Sequence, residues 1–405
     1  MSDLYELPNG WEWKPLGEIT NVIGGGTPKR NVKEYWDNGN IVWLSPTDLG
    51  NIGEIIDISD SKDKITQLGL DKSSAKLLPI GTVLYSSRAT IGKIAINTIE
   101  VSTNQGFSNF VCNDDLYNKY LSFCLNRFTS DITSLSNSTT FKEVNKTNIK
   151  QFQIPLPPLS EQQRIVSKLD KLFEKIDKSI ALHQLNMDEA DIFMGSVLND
   201  VFDIEKVSNW DAYQFDKISK FIDYRGKTPK KIDSGIQLIT AKNVRFGYLL
   251  DDPKEYMSDI SYDEWMVRGI PNKGDVLFTT EAPLGNVAIL NTDEKRIFAQ
   301  RIITFQPIND EVYQSNFLYY YMMSPYFRGN LFEKSTGTTV KGIKSSILKK
   351  FIIKIPSISI QQKVVKYLDE VSEKIEKVKS VQKVKMDSLI ALKASILDRA
   401  FKGEL

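Results

Sequence analysis

Apolar residues recur along two stretches of this chain at steps that alternate three and four. The first stretch carries Val166, Leu169, Phe173, Ile176, Ile180, His183, Met187, Ala190, Met194 and Val197. The second carries Val364, Leu368, Val371, Ile375, Val378, Gln382, Lys385, Leu389, Leu392 and Ile396. This is heptad spacing. Each stretch predicts a helix of about 40 residues, about 60 Å long at 1.5 Å per residue. Each opens on a helix-start signal, Ser160 with Gln163 and Ser359 with Gln362, in the pattern of a capping box. A helix of this length must bury its stripe, and the other copy is the obvious partner. The pattern therefore predicts an intramolecular antiparallel coiled coil, with Leu169, Ile176, His183, Leu368, Ile375 and Gln382 on its seam. His183 and Gln382 lie near the middle of their helices, so they should meet in a polar layer that fixes register.

The regions ahead of the two helices show a different period. Short apolar runs bounded by glycine turns read as strands. Ile41-Val42-Trp43-Leu44 has a counterpart in Ile236-Gln237-Leu238-Ile239, and Gly81-Thr82-Val83-Leu84-Tyr85 has one in Gly274-Asp275-Val276-Leu277-Phe278. A glycine turn leads from each into a further strand, Ile91-Gly92-Lys93-Ile94-Ala95-Ile96 and Leu284-Gly285-Asn286-Val287-Ala288-Ile289. Short helices are interleaved at 117–128 and 315–327. Each region reads as an α+β module.

The modules and helices are two copies of one plan. Leu159-Ser160-Glu161-Gln162-Gln163-Arg164-Ile165-Val166 returns as Ile358-Ser359-Ile360-Gln361-Gln362-Lys363-Val364-Val365, 199 residues later, as His183 returns as Gln382. The module starts keep the same offset, Trp11 against Trp210. Inside the modules it slips to 193, from Gly92 to Gly285. Constant edges with slipped interiors describe one scaffold carrying two different recognition surfaces. The expected fold is α+β: two tandem α/β recognition domains separated by two long helices in an antiparallel coiled coil, a pseudo-two-fold repeat. The expected segments are 1–157, a first recognition domain; 158–205, a central spacer helix; 206–356, a second recognition domain; and 357–405, a C-terminal spacer helix.

Composition narrows the function by exclusion. The chain has 405 residues with 41% apolar and 25% charged residues, an ordinary globular balance. No apolar run is long enough to span a membrane, and the acidic, polar opening has no signal-peptide core. Cys112 and Cys124 read as free thiols in a reducing cytoplasm. A net charge of +1 lends no support to nucleic-acid binding, although charge can be segregated onto one face. One histidine and two separated cysteines cannot build a structural zinc site, and His183 lies on the predicted seam, not in a Ser–His or Cys–His arrangement. Gly226-Lys227-Thr228 resembles the end of a phosphate loop, but Phe221 stands where that loop requires glycine. No Asn-Pro-Pro-Tyr or Asp-Pro-Pro-Tyr tetrapeptide of an amino-methyltransferase is present. The nuclease-like triplet Glu12-Trp13-Lys14 is expected by chance among 52 basic residues. No catalytic residue and no metal site are assigned, and the chain is expected not to be an enzyme by itself.

Three groups of residues together resemble the specificity subunit of Type I restriction-modification enzymes. They are the opening Pro8-Asn9-Gly10-Trp11-Glu12-Trp13-Lys14-Pro15-Leu16-Gly17-Glu18, the helix entry Ile154-Pro155-Leu156-Pro157-Pro158-Leu159-Ser160-Glu161-Gln162-Gln163, and the ending Ala400-Phe401-Lys402-Gly403-Glu404-Leu405. The resemblance covers the whole chain. The second helix entry departs from the pattern in lacking Pro-Pro and Glu, and the first helix ends at Val201-Phe202-Asp203-Ile204 without Gly-Glu-Leu. The resemblance implies that each recognition domain reads one half of a bipartite double-stranded DNA target in the major groove. It implies that the helices set the half-site spacing and dock two methyltransferase subunits, and that a restriction motor-nuclease subunit joins the complex. S-adenosylmethionine, ATP and magnesium would then be bound by partner subunits, none by this chain, and the setting would be cytoplasmic. The alternative reading is a protein-binding scaffold with no role for DNA.

Candidate DNA contacts are polar loops at matching places in the two modules. The Thr-Pro-Lys turns offer Thr27, Lys29 and Arg30, and Arg225, Lys227, Thr228 and Lys230. The strand ends offer Ser86, Ser87 and Arg88, and Thr279, Thr280 and Glu281. There Arg88 could read guanine and Glu281 could accept from cytosine N4. Next come Thr103, Asn104 and Gln105, opposite Gln300 and Arg301. Last is the loop that most resembles a DNA-contacting loop of the family: Ser138, Thr139, Thr140 and Lys142, and Thr336, Gly337, Thr338, Thr339 and Lys341.

Overall fold

The structure is a computed structural model that describes residues 4–136, 142–226, 229–299 and 301–405. Two compact units divide the chain, one of residues 1–182 with 384–405 and one of residues 183–383. The boundary falls in the middle of both long helices, Leu159–Val201 and Ile358–Phe401. Each unit is thus one α+β module, the near half of one helix and the far half of the other.

In the first unit a five-stranded sheet runs in the order Thr20–Gly24, Phe107–Cys112, Val83–Ser86, Ile94–Asn97, Ile55–Ile58. Both Val83–Ser86 and Ile94–Asn97 are buried at every position, which explains their continuous apolar runs. The helix Asn118–Arg127 covers this sheet with Tyr120, Leu121, Phe123 and Leu125. The same core takes in Leu169, Phe173 and Ile176 of the first long helix and Leu397, Ala400 and Phe401 of the second. In the second unit a four-stranded sheet runs Ser219–Asp223, Ile302–Pro307, Val276–Thr279, Val287–Ile289. Its helix Ser315–Met323 packs with Val197, Leu198, Phe202 and Leu368. In each unit the entering and leaving strands pair, Glu12–Pro15 with Gln153–Leu156 and Asp211–Gln214 with Ile352–Ile355. A module whose ends are clamped together can be carried on a helix without disturbing it.

The long helices pair antiparallel in each unit. Lys393 meets Asp177 at 2.8 Å in the first, and Lys379 meets Asp191 at 2.8 Å in the second. The predicted polar layer is present: His183 Nδ1 and Gln382 Oε1 hydrogen-bond within the second unit. Leu169 and Leu368 are fully buried, and Ile176 and Ile375 nearly so.

Two details differ from the sequence expectation. Val378 and Leu392 were placed on the seam but are 45% and 47% exposed, and Lys385 is exposed as well. Lys379 and Lys393 turn inward instead. Their aliphatic stems cover apolar surface while their ammonium groups reach aspartates on the facing helix. The helices also start two residues earlier than the capping-box reading, at Leu159 and Ile358, so Ser160 and Ser359 lie inside them. The buried glutamine is the one before the predicted box partner. Gln162 Oε1 accepts from the Tyr117 N–H at 2.8 Å, while its Nε2 donates to the carbonyls of Asp115 at 2.8 Å and Pro157 at 2.9 Å. Gln361 repeats the lock with the Gln314 N–H at 3.0 Å and the carbonyls of Val312 at 2.9 Å and Pro356 at 2.8 Å. Both side chains are fully buried. Each ties a long helix to the segment that leads into its module's own helix.

Candidate nucleic-acid interface

Each module's candidate loops are built around the tight turn after its central strand. Ser86 Oγ donates to the Thr90 carbonyl and accepts from the Lys93 N–H at 2.8 Å. In the second module Thr279 Oγ1 donates to the Pro283 carbonyl at 2.6 Å and accepts from the Asn286 N–H at 2.9 Å. Ala89 and Ala282 sit in these turns at φ +61° and +47°. That conformation is uncommon for a residue with a Cβ, and such strain gathers at functional loops. Ser86 and Thr279 are fully buried with both hydroxyl roles taken inside the turn, and Thr280, at the cleft edge, donates its hydroxyl to the Arg301 carbonyl at 3.2 Å. Arg88 and Glu281, next along, are exposed or half-exposed.

The other loops are stitched onto the same turn. The Ser87 and Thr280 N–H groups donate to the carbonyls of Gly106 and Arg301, each at 2.8 Å. The Val144 and Ile343 N–H groups donate back to the carbonyls of Ser87 at 3.0 Å and Thr280 at 2.9 Å. The sequence-predicted loops around 104–105, 142, 301 and 336–341 are thereby brought beside the turns.

Several candidates are committed internally. Arg30 pairs with Asp63 at 2.6 Å and stacks 3.8 Å above the Trp36 ring, so its charge is held in place. Thr27 donates to Gln105, joining two predicted loops. Asn104 accepts from the Gly106 N–H at 2.8 Å and braces its own turn, while Thr103 is buried. Arg225 grips Asp223 through two bonds, Nε to Oδ1 at 2.8 Å and Nη2 to Oδ2 at 2.7 Å. Burial pushes the Asp223 carboxyl up, but hydrogen bonds from Arg225 outweigh it and hold the group below the usual carboxylate range. Lys29, Lys142, Lys230, Thr338, Thr339 and Lys341 are exposed. Lys227, Thr228, Gln300, Ser138, Thr139 and Thr140 lie outside the described residues.

In the second module the convergence forms a cleft of about 620 Å³, lined by Arg225, Thr280, Glu281, Arg301, Thr336 and Gly337 among others. Thr336 and Gly342 exchange both backbone hydrogen bonds at 2.9 Å and close the loop between them. Gly337 has φ +106°, and a Cβ there would lie 2.1 Å from the Val340 carbonyl, so this position requires glycine. Among the described residues no group of three or more His, Cys, Asp or Glu side chains could hold a metal ion. Likewise no helix is long and apolar enough to cross a membrane.

Sequence reasoning missed Gln162, Gln361, Glu143 and the clasp of Arg127 on Asp398, whose Oδ1 accepts from Nε at 2.8 Å and from Nη2 at 2.6 Å. For the glutamines a signal existed, since the Gln-Gln pair recurs at the full repeat offset.

The fold and loops define a duplicated module carried on an antiparallel helix pair, with a loop cleft in the second copy that offers both donors and acceptors. The family described as Type I restriction modification DNA specificity domain matches residues 8–184 and 268–386. A specificity subunit of the MjaIX Type I restriction enzyme of Methanocaldococcus jannaschii is 27% identical over 395 residues, 92% of this chain and 89% of that one. The EcoR124I/EcoR124II specificity subunit of Escherichia coli is 35% identical over 175 residues, 42% of each chain. Among solved structures, a chain from a type I R-M system superposes with a TM-score of 0.74 at 21% identity, covering 99% of this chain and 100% of that one. An HsdS subunit from Thermoanaerobacter tengcongensis gives 0.52 at 20% identity, covering 100% and 99%. The chain belongs to the Type I restriction-modification specificity family. Nothing in these likenesses supports the protein-scaffold alternative.

Proposed function

We propose that each module reads one half of a bipartite double-stranded DNA target. The long helices would set the distance between the half-sites and dock two methyltransferase subunits. Through them a restriction motor-nuclease subunit joins the assembly. The chain itself performs no chemistry; S-adenosylmethionine, ATP and magnesium are bound by the partners, in the cytoplasm.

The observation that carries this reading is the convergence of separate loops on one cleft in the second module, which sets arginines, a carboxylate and hydroxyls side by side. Base edges in the major groove present donors and acceptors together, so a reader needs both kinds of group. Exposed lysines around the cleft suit phosphate contacts, which position the module without reading sequence. The long helices also expose apolar residues that a soluble surface does not need. Leu185, Ile192, Phe193 and Val381 do so in the second unit, and Val384, Ile390 and Leu392 in the first. Such surface fits a protein partner.

The test is selection from randomised duplexes by the chain assembled with its methyltransferase partner. A split motif with a constant gap is expected, and recovery of no preferred sequence would remove the proposal.

A further inference from the structure

We propose that each module reads a guanine through one arginine fork braced by a carboxylate: Arg88 with Glu143 in the first, Arg301 with Glu281 in the second. This rests on the DNA-reading function above and names the base and the atoms that function uses.

The candidate loops hold four arginines. Arg30 is spent on Asp63 and the Trp36 ring, and Arg225 on both carboxylate oxygens of Asp223. Arg88 and Arg301 differ from these. In each, a carboxylate makes an ion pair whose closest approach is to Nε: Glu143 Oε2 at 3.4 Å from Arg88, and Glu281 Oε1 at 3.0 Å from Arg301. Among the described residues no hydrogen bond engages their terminal amines. Both arginines are about half exposed, at 47% and 51%. A guanidinium whose carboxylate partner lies on the Nε side leaves Nη1 and Nη2 as two parallel donors for a ligand. Guanine alone offers two neighbouring acceptors, N7 and O6, at that spacing in the major groove. Bracing also lowers the ordering cost that a free arginine incurs on binding.

The two braces are built from opposite arms of one framework. In the first module the arginine follows the strand turn and the acid comes from its bridge partner, Glu143. In the second module the acid, Glu281, follows the turn, and the arginine comes from position 301. Position 301 corresponds to Gly106, because both carbonyls accept from the turn N–H. A Cβ at Gly106 would meet Asn104 Oδ1 at 2.9 Å and Pro46 at 3.2 Å, so an arginine there would displace the Asn104 amide that braces the turn. Arg88 supplies the arginine from the other arm. Glu281 is on this account a positioning residue, not a reader of cytosine N4 as its residue type alone implies.

The experiment uses the full chain assembled with its methyltransferase partner. The motif methylated by the wild-type complex is determined first, and binding is then measured on duplexes carrying that motif with single guanines replaced by 7-deazaguanine. That base lacks N7 but leaves cytosine N4 intact. One guanine in each half-site should lose about ten- to hundred-fold in affinity on deaza substitution. Arg88→Gln should abolish that sensitivity in one half-site only, and Arg301→Gln in the other. Glu281→Gln should keep the same base preference with a smaller deaza penalty. Lysine at either position should restore discrimination only in part, because its flexible point-charge ammonium lacks the planar fork of the guanidinium. The proposal is overturned by deaza-insensitive binding, by uniform weakening on all sequences with rescue by lysine, or by a changed base preference in Glu281→Gln. A wild-type complex with no motif would instead sink the DNA-reading function itself. Far-UV circular dichroism and urea midpoints matching wild type show that the variants are folded.

Discussion

Replacing Gln361 by leucine should loosen the second unit by an amount that its three hydrogen bonds set. Leucine keeps most of the volume but leaves the Gln314 N–H and the Val312 and Pro356 carbonyls without their partners. Val312 and Gln314 are half-buried, so water reaches them in part, whereas Pro356 is buried. An unsatisfied buried group costs about 1–3 kcal/mol. The lower figure for the two half-buried groups and the upper for the third give a loss of about 5 kcal/mol. Burial of the leucine side chain returns about 2 kcal/mol. The net loss is about 3 kcal/mol, roughly a hundred-fold in the folded-to-unfolded ratio. Urea unfolding of the full chain reads the loss, and amide hydrogen exchange at Gln314 locates it. The expected result is an earlier transition of the second unit, with fast exchange at Gln314 and unchanged protection at Tyr117. Gln162→Leu should give the converse. An unshifted midpoint with Gln314 still protected would refute the lock.

Inserting four residues at matched points in both helices should lengthen the spacer by about 6 Å and widen the gap of the methylated motif by about 2 base pairs; an unchanged gap contradicts the ruler. Asp398→Asn should weaken the first unit at neutral pH by about 1–2 kcal/mol, since hydrogen bonds from Lys402 and Arg127 overcome burial and hold this carboxyl below its ordinary range. Because the folded value is depressed, wild type holds that stability above the unfolded value of about 3.9 and loses it as pH falls through the folded one. The variant's deficit should therefore shrink in acid urea titrations. Gly337→Ala, at φ +106° with the Val340 carbonyl in the way, should weaken duplex binding about ten-fold in gel shifts while moving the urea midpoint little, since the loop lies at the cleft and outside the core.

The architecture was legible because it is written twice. Heptad spacing and a constant offset predicted the antiparallel helices and the meeting of His183 with Gln382. The seam slipped where pattern reading treats lysine as polar: Lys379 and Lys393 bury their stems, and the neighbouring Val378 and Leu392 point outward. The Ser-x-x-Gln spacing drew attention to Gln163 and Gln362 as caps, whereas the buried amides are Gln162 and Gln361, two of whose three partners lie some 45 residues away and leave no local mark. The candidate loops were located by repeat position, but their division of labour was not. Arg30 and Arg225 read like any exposed base-reading arginine until Asp63, Trp36 and Asp223 are found beside them. Ser86 and Thr279 look like ligand-facing hydroxyls because the turn that consumes them closes through backbone groups, which sequence does not display.

If two different modules on one spacer read two different half-sites, methylation mapping of host DNA by single-molecule sequencing, with and without this gene, should show it. The expected result is one split motif with a constant gap that disappears with the gene, and loss of base discrimination in one half only when Arg88 or Arg301 is replaced. A methylation pattern that is indifferent to the gene, or a single contiguous motif, would contradict it.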